Sequence, residues 1–87
     1  MPVIEVPAIL RRYTDDKKEI EFDGKTVKEI IEKCLRHHHP ELHEALFNVN
    51  GNFWMWILLN GERIKYNDER KLKKEDKISF LAPMTGG

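Results

Sequence analysis

Residues 24–35 read Gly24-Lys25-Thr26-Val27-Lys28-Glu29-Ile30-Ile31-Glu32-Lys33-Cys34-Leu35, and their spacing decides the fold. Thr26 with Glu29 three residues on is a capping box, in which the hydroxyl accepts from the Glu29 amide and the carboxylate reaches back to the Thr26 amide. Behind it, Val27, Ile30, Ile31, Cys34 and Leu35 recur at helical spacing and form one apolar stripe. Lys28, Glu29, Glu32, Lys33 and Arg36 fall on the water-facing side. Pro40 disfavours helical geometry at the residue before it, so the helix ends at about His37 to His39. A helix with a single apolar face needs another layer to cover it.

The flanking sequence supplies that layer. On the amino-terminal side, Val3-Ile4-Glu5-Val6 is β-branched and alternating, a strand that Pro7 ends or places on an edge. A polar stretch with Thr14-Asp15-Asp16 as its turn chemistry leads to Glu19-Ile20-Glu21-Phe22, the return strand of a hairpin. On the other side, Leu42 and Leu46 suggest a further helical turn before the loop Asn48-Val49-Asn50-Gly51-Asn52. Residues 53–59, Phe-Trp-Met-Trp-Ile-Leu-Leu, form a strongly apolar strand, and Asn60-Gly61 is a hairpin turn. Residues 62–66 return. A polar connection holds Leu72 as its buried anchor, and residues 77–81 are the last strand, with Ile78 and Phe80 on one face. Two strand groups straddling one helix predict an α+β fold, with a mixed sheet of four or five strands packed on that helix. The first and last strands are expected as parallel neighbours at its centre.

Composition bounds what such a domain does. A chain of 87 residues makes one domain and buries roughly 60–65% of its unfolded surface, too little for an elaborate cleft. Hydrophobic residues at 40% and charged residues at 34% exclude a disordered chain. Fifteen Lys and Arg balance fifteen Asp and Glu, so no general field draws nucleic acid or an anionic membrane. The longest apolar run falls far short of a spanning helix, which needs about 20 residues, and the first residues lack the pattern of a signal peptide. The single cysteine, Cys34, rules out an internal disulfide and fits a cytoplasmic setting.

Four groups of residues invite a chemical reading. Period two places Met55, Ile57 and Leu59 on one face of their strand and Trp54, Trp56 and Leu58 on the other. If the helix covers the first set, the second is an exposed apolar stripe and a docking surface. The opposing reading is that residues 45–52 fold over the tryptophans. Arg11, Arg12, Arg63 and Lys65 flank this surface or are simply solvated. His37, His38, His39 and His43 are better read as a solvated helix end, where imidazoles suit the dipole, than as a zinc site. Cys34 sits in the apolar stripe and reads as a small core residue, not a nucleophile. No nucleophile triad, phosphate loop or carboxylate pair stands out, so the residues themselves point to no catalytic site.

The order of several short motifs resembles ubiquitin-like sulfur-carrier proteins of the MoaD/ThiS family. They are Val6-Pro7-Ala8-Ile9-Leu10-Arg11, Gly24 to Ile31, His39-Pro40-Glu41-Leu42, Leu59-Asn60-Gly61-Glu62, Glu75-Asp76-Lys77-Ile78 and Pro83-Met84-Thr85-Gly86-Gly87. The opening strand most resembles the CysO branch. Asp15-Asp16 stands where a first turn with glycine is usual, and Met84-Thr85 where small apolar residues are common.

The resemblance implies a β-grasp fold over residues 1–87, with 82–87 a flexible tail. It also implies that an E1-like adenylyltransferase, using ATP and Mg²⁺, activates the Gly87 carboxylate, with Gly86 shaping the approach. Sulfur then yields a terminal thiocarboxylate for a sulfur-accepting enzyme of molybdopterin, thiamine, cysteine or tRNA thiolation chemistry. Glycine suits such a tail, having no Cβ to block a narrow channel. Trp54, Trp56, Leu58, Arg11, Arg63, Pro83, Met84 and Thr85 are the expected partner contacts, with no metal, nucleic acid or membrane. Two alternatives stay open: a ubiquitin-like modifier that forms an isopeptide bond through Gly87, and a β-grasp module that stacks single-stranded RNA on its aromatic strand.

Overall fold

The structure is a computed structural model that describes residues 1–82. Its sheet has five strands: β1 Val3–Glu5, β2 Glu19–Glu21, β3 Trp56–Leu59, β4 Glu62–Ile64 and β5 Lys77–Leu81. Their order is β2-β1-β5-β3-β4. The outer pairs are antiparallel, and β1 runs parallel to β5 at the centre, with Ile4 opposite Ile78. The expected α+β architecture and its central parallel pair are therefore present, as the β-grasp arrangement.

One long helix, α1, covers the sheet. Thr26 caps it by accepting from the Glu29 amide at 3.2 Å, the first half of the predicted box. The helix is α over Val27–Glu29, π over Ile30–Leu35 and α again over Arg36–His38. The wider π turn advances through less angle per residue. It brings Leu35 to the middle of the buried stripe and moves Cys34 to its margin. Val27, Ile30, Ile31 and Leu35 are buried accordingly, while Cys34 is half-buried and its thiol meets the Asp23 carbonyl at 3.5 Å. This corrects the expectation that Cys34 is a core residue.

His39 breaks the helix before Pro40, and α2 follows over Pro40–Ala45. Leu42 and Leu46 from this segment join Ile4, Val6, Ile20, Met55, Ile57, Leu59, Ile64, Ile78 and Phe80 in one core. Leu72 packs against that core and donates its amide to the Lys25 carbonyl at 2.7 Å.

Two connections differ from expectation. The segment after β1 is a 3₁₀ helix, Ala8–Thr14, not an irregular turn. Pro7 precedes it with φ −65°, the value its ring enforces. Buried Thr14 closes the turn, its single hydroxyl proton shared between the carbonyls of Lys17 at 3.1 Å and Arg11 at 3.2 Å. Asp15 and Asp16 then adopt left-handed φ of 54° and 63°, so they occupy a geometry that favours glycine. The predicted strand at residues 53–59 is also shorter. Phe53 bridges to Phe47, and the regular strand starts only at Trp56. Asn60 and Gly61 have φ of 52° and 88°, the paired positive values of a type I′ hairpin turn.

No helix among the described residues is long and apolar enough to cross a membrane.

Candidate functional site

Antiparallel pairing of β3 and β5 places Trp56 opposite Leu81 and Leu58 opposite Ser79. Pairing of β3 and β4 places Leu58 opposite Arg63 as well. Residues directly opposite share a face, and inward-facing Ile57, Ile64, Ile78 and Phe80 are buried. Trp56, Leu58, Arg63, Ser79 and Leu81 therefore stand on the face turned away from α1. Trp56 is 41% exposed and Leu81 48% exposed, so this corner of the open face is an apolar patch. The Arg63 guanidinium lies over the Trp56 ring at 4.0 Å, a cation–π contact that pairs the two side chains on this face.

Arg11 reaches the same patch from the 3₁₀ helix. Its Nε donates to the Val6 carbonyl at 3.1 Å, and it lines a shallow groove with Pro7, Leu58, Ser79 and Leu81. Lys65 lines a neighbouring cleft that Trp56 shares with Phe53 and Tyr66. Arg12 has a different attachment, for its guanidinium lies over the Tyr13 ring at 4.9 Å and donates to the Tyr13 hydroxyl. The rest of the open face is polar. Lys77 sits between Glu5 at 3.6 Å and Glu19 at 3.8 Å, and Ser79 donates to Glu5. The sheet thus has the usual solvated alternation on its β2–β1 half and an apolar surface on its β5–β3–β4 corner.

Trp54 does not continue this stripe. Its indole N–H donates to the Ala45 carbonyl at 2.8 Å, and its amide donates to the Leu46 carbonyl at 3.2 Å. Ala45 and Leu46 thus tether Trp54 without folding over it, since it stays 37% exposed, while Trp56 stays on the open sheet. Leu81 was missed by the sequence reading. The signal was available, since a residue next to inward-facing Phe80 must face outward in a strand.

The register also sets where the described chain ends. Leu81 ends β5 beside Trp56, and Ala82 packs half-buried against the core. Pro83, Met84, Thr85, Gly86 and Gly87 follow and lie outside the described residues, so the expected contacts and chemistry of the tail fall there.

The remaining candidates are occupied in other ways. His38 stacks on Phe22 with ring centres 5.6 Å apart, His39 meets Phe22 edge-on, and His37 packs against His38. His43 lies 4.9 Å from Phe47, and burial together with the Arg36 charge pulls its pKa below the usual imidazole value. Among the described residues, no group of three metal-ligating side chains is placed to hold an ion. Burial, then Glu29 and Asp23, push the Cys34 thiol above its ordinary pKa, the opposite of an activated nucleophile.

Comparison with known proteins agrees with this geometry. The sequence matches the ThiS family over residues 4–87. No curated protein matches it. The fold is similar to a chain of the Amycolatopsis orientalis BexX/CysO complex, with 26% identity, all of both chains covered and a TM-score of 0.80. It is also similar to Mycobacterium tuberculosis CysO, with 20% identity, 97% and 100% of the two chains covered and a TM-score of 0.81. A third similar structure is small archaeal modifier protein 1 from Methanosarcina acetivorans, with 24% identity, 99% and 95% coverage and a TM-score of 0.76. Two CysO structures among these matches fit the branch that the opening strand resembles. With a family match from Ile4 to Gly87 and a five-stranded β-grasp sheet, the chain belongs to the ThiS family of ubiquitin-like carrier proteins.

Proposed function

We propose that this protein is a sulfur carrier whose reactive group is the carboxylate of Gly87. A carboxylate is a poor electrophile because it has no adequate leaving group. An E1-like partner remedies this with ATP and Mg²⁺. The carboxylate oxygen attacks the α-phosphorus, pyrophosphate leaves, and an acyl-adenylate forms. Sulfide then attacks the acyl carbon, AMP departs with the bonding pair, and a thiocarboxylate remains to donate its sulfur. The catalytic groups belong to the partner, and this chain supplies the electrophile and the surface that delivers it.

The observation that carries the reading is the pairing of Leu81 with Trp56. It starts the segment that leads to Gly86 and Gly87 within an apolar, arginine-flanked corner of the sheet. A partner seated on Trp56, Leu58 and Leu81 is thereby next to the strand end from which residues 82–87 continue. The family match, which runs through residue 87, supports the same assignment.

Intact-mass spectrometry tests it. Incubation with ATP, Mg²⁺, sulfide and the E1-like protein of the same organism is expected to replace one oxygen of the chain by sulfur. Removal of Gly86 and Gly87 is expected to abolish that mass gain and leave the thermal midpoint unchanged. Likeness to small archaeal modifier protein 1 favours one alternative, isopeptide conjugation through Gly87. A ladder of larger adducts without a thiocarboxylate would select that alternative.

A further inference from the structure

Besides Met1, the large hydrophobic side chains exposed among the described residues are Ile9, Val49, Trp54, Trp56 and Leu81. Trp56 and Leu81 belong to the sheet face. Val49 does not: it stands at the tip of the loop that follows α2, with its side chain fully in solvent. A lone exposed valine needs no explanation, but the construction around this one is specific.

The loop is laced by hydrogen bonds. The Asn48 side-chain oxygen accepts from the amides of Asn50 at 2.9 Å and Asn52 at 3.0 Å. The Asn48 amide donates to the Asn52 carbonyl, and the Gly51 amide donates to the Asn48 carbonyl. The Phe47–Phe53 bridge and the bond from Trp54 to Ala45 fasten the base. Beside the tip runs a groove of about 700 Å³, walled by Tyr13, Phe47 and Val49 and by Glu41 and Glu44 of α2. Both charged side chains that line it are carboxylates. Arg12 is engaged with Tyr13, and His43 of α2 packs against Phe47. The apolar corner of the sheet differs in carrying Arg11 and Arg63, with Glu5 also lining its groove.

We propose that this groove is a second protein-docking site, which takes an extended basic segment of a partner. An aliphatic or aromatic side chain of that segment rests against Val49, Phe47 and Tyr13, and flanking Lys or Arg residues meet Glu41 and Glu44. A loop laced in this way loses little conformational freedom on binding, which favours a short segment. The site stands apart from the carrier chemistry and does not depend on a thiocarboxylate.

The test is a nuclear magnetic resonance titration of the full chain with two capped pentapeptides, Lys-Leu-Arg-Phe-Lys and its acidic counterpart Glu-Leu-Asp-Phe-Glu. Saturable shifts at Tyr13 and residues 44–51 are expected with the basic peptide, and none with the acidic one. The Glu41→Gln/Glu44→Gln double variant is expected to weaken binding about tenfold, as loss of two exposed charge pairs requires. Val49→Ser is expected to weaken it as well. All three positions are exposed, so the variants keep the fold. Shifts centred on Trp56 and Leu81, equal binding of both peptides, unchanged binding by the variants, or no saturable shift would each overturn the proposal.

Discussion

Trp56 and Leu81 stand opposite each other across the β3–β5 ladder, with Arg63 stacked 4.0 Å above the indole. This pair makes the last residue of the central strand part of the apolar corner. Buried aromatic anchors contribute about 2 kcal/mol or more to interfaces of this kind. Trp56→Ala is therefore expected to weaken binding of the adenylating partner roughly thirtyfold, with little change in thermal midpoint. Trp54→Ala should do the reverse, because its indole is tied to Ala45 and serves the fold. Calorimetric titration beside thermal denaturation checks both. Equal loss of affinity in the two variants would assign the surface wrongly.

A second expectation concerns the turn that orders β5. The Asp76 carboxylate accepts from the Lys73 amide at 2.7 Å and from the Asn60 side chain at 2.9 Å. Asn60 in turn accepts from the Lys77 amide, so the β3–β4 hairpin is bound to the start of the central strand. Asp76 is only 8% exposed, and these donors, the Lys73 amide first, hold its carboxyl below the usual carboxylate pKa. A lowered folded pKa stabilises the native state above the unfolded value of about 3.9, and that stability is lost as pH falls through the folded value. Asp76→Ala should cost about 2–3 kcal/mol at pH 7. The gap between wild type and Asp76→Asn in urea midpoint should be constant above about pH 5 and close below about pH 4.

The contrast between these two sites shows what the sequence could display. Periodicity exposed the helix stripe, the alternating strands and the Asn60-Gly61 turn, because each follows from spacing alone. It also placed Trp56 and Leu58 on the open face. It did not show the π segment, since a wider turn leaves no separate mark on an apolar pattern. Cys34 was misplaced for that reason. The division of the two tryptophans depends on a hydrogen bond to Ala45, nine residues earlier, and period two treats them alike. The role of Asp76 left no mark on the pattern, because its Asn60 partner lies sixteen residues earlier and meets it only once the sheet forms.

Cys34 offers a third check. Burial, Glu29 and Asp23 all raise its pKa, so the thiolate fraction at neutral pH lies below that of a free cysteine, whose pKa is about 8.5. Alkylation by iodoacetamide at pH 7.5 should run slower than that of glutathione and accelerate only at alkaline pH. Cys34→Ala should load sulfur like the wild type. Loss of loading in that variant, with the fold intact, would place a persulfide step on this residue.

The last prediction separates two reasons for glycine in this fold. A Cβ on Gly24 would stand 2.5 Å from Cγ1 of Ile30, which is fully buried beneath the start of α1. Ile30 is stiff at χ1 and packed on all sides, so it has little room to retreat. Gly24→Ala should then cost about 1–3 kcal/mol through overpacking. Gly61 has open space around it but φ of +88°, so its constraint is torsional. Asparagine tolerates the left-handed region better than alanine. Gly61→Asn should therefore be milder than Gly61→Ala, whereas Gly24→Asn should be at least as damaging as Gly24→Ala. Urea midpoints of the four variants decide the matter, and rescue by asparagine at position 24 would refute the steric account of that glycine.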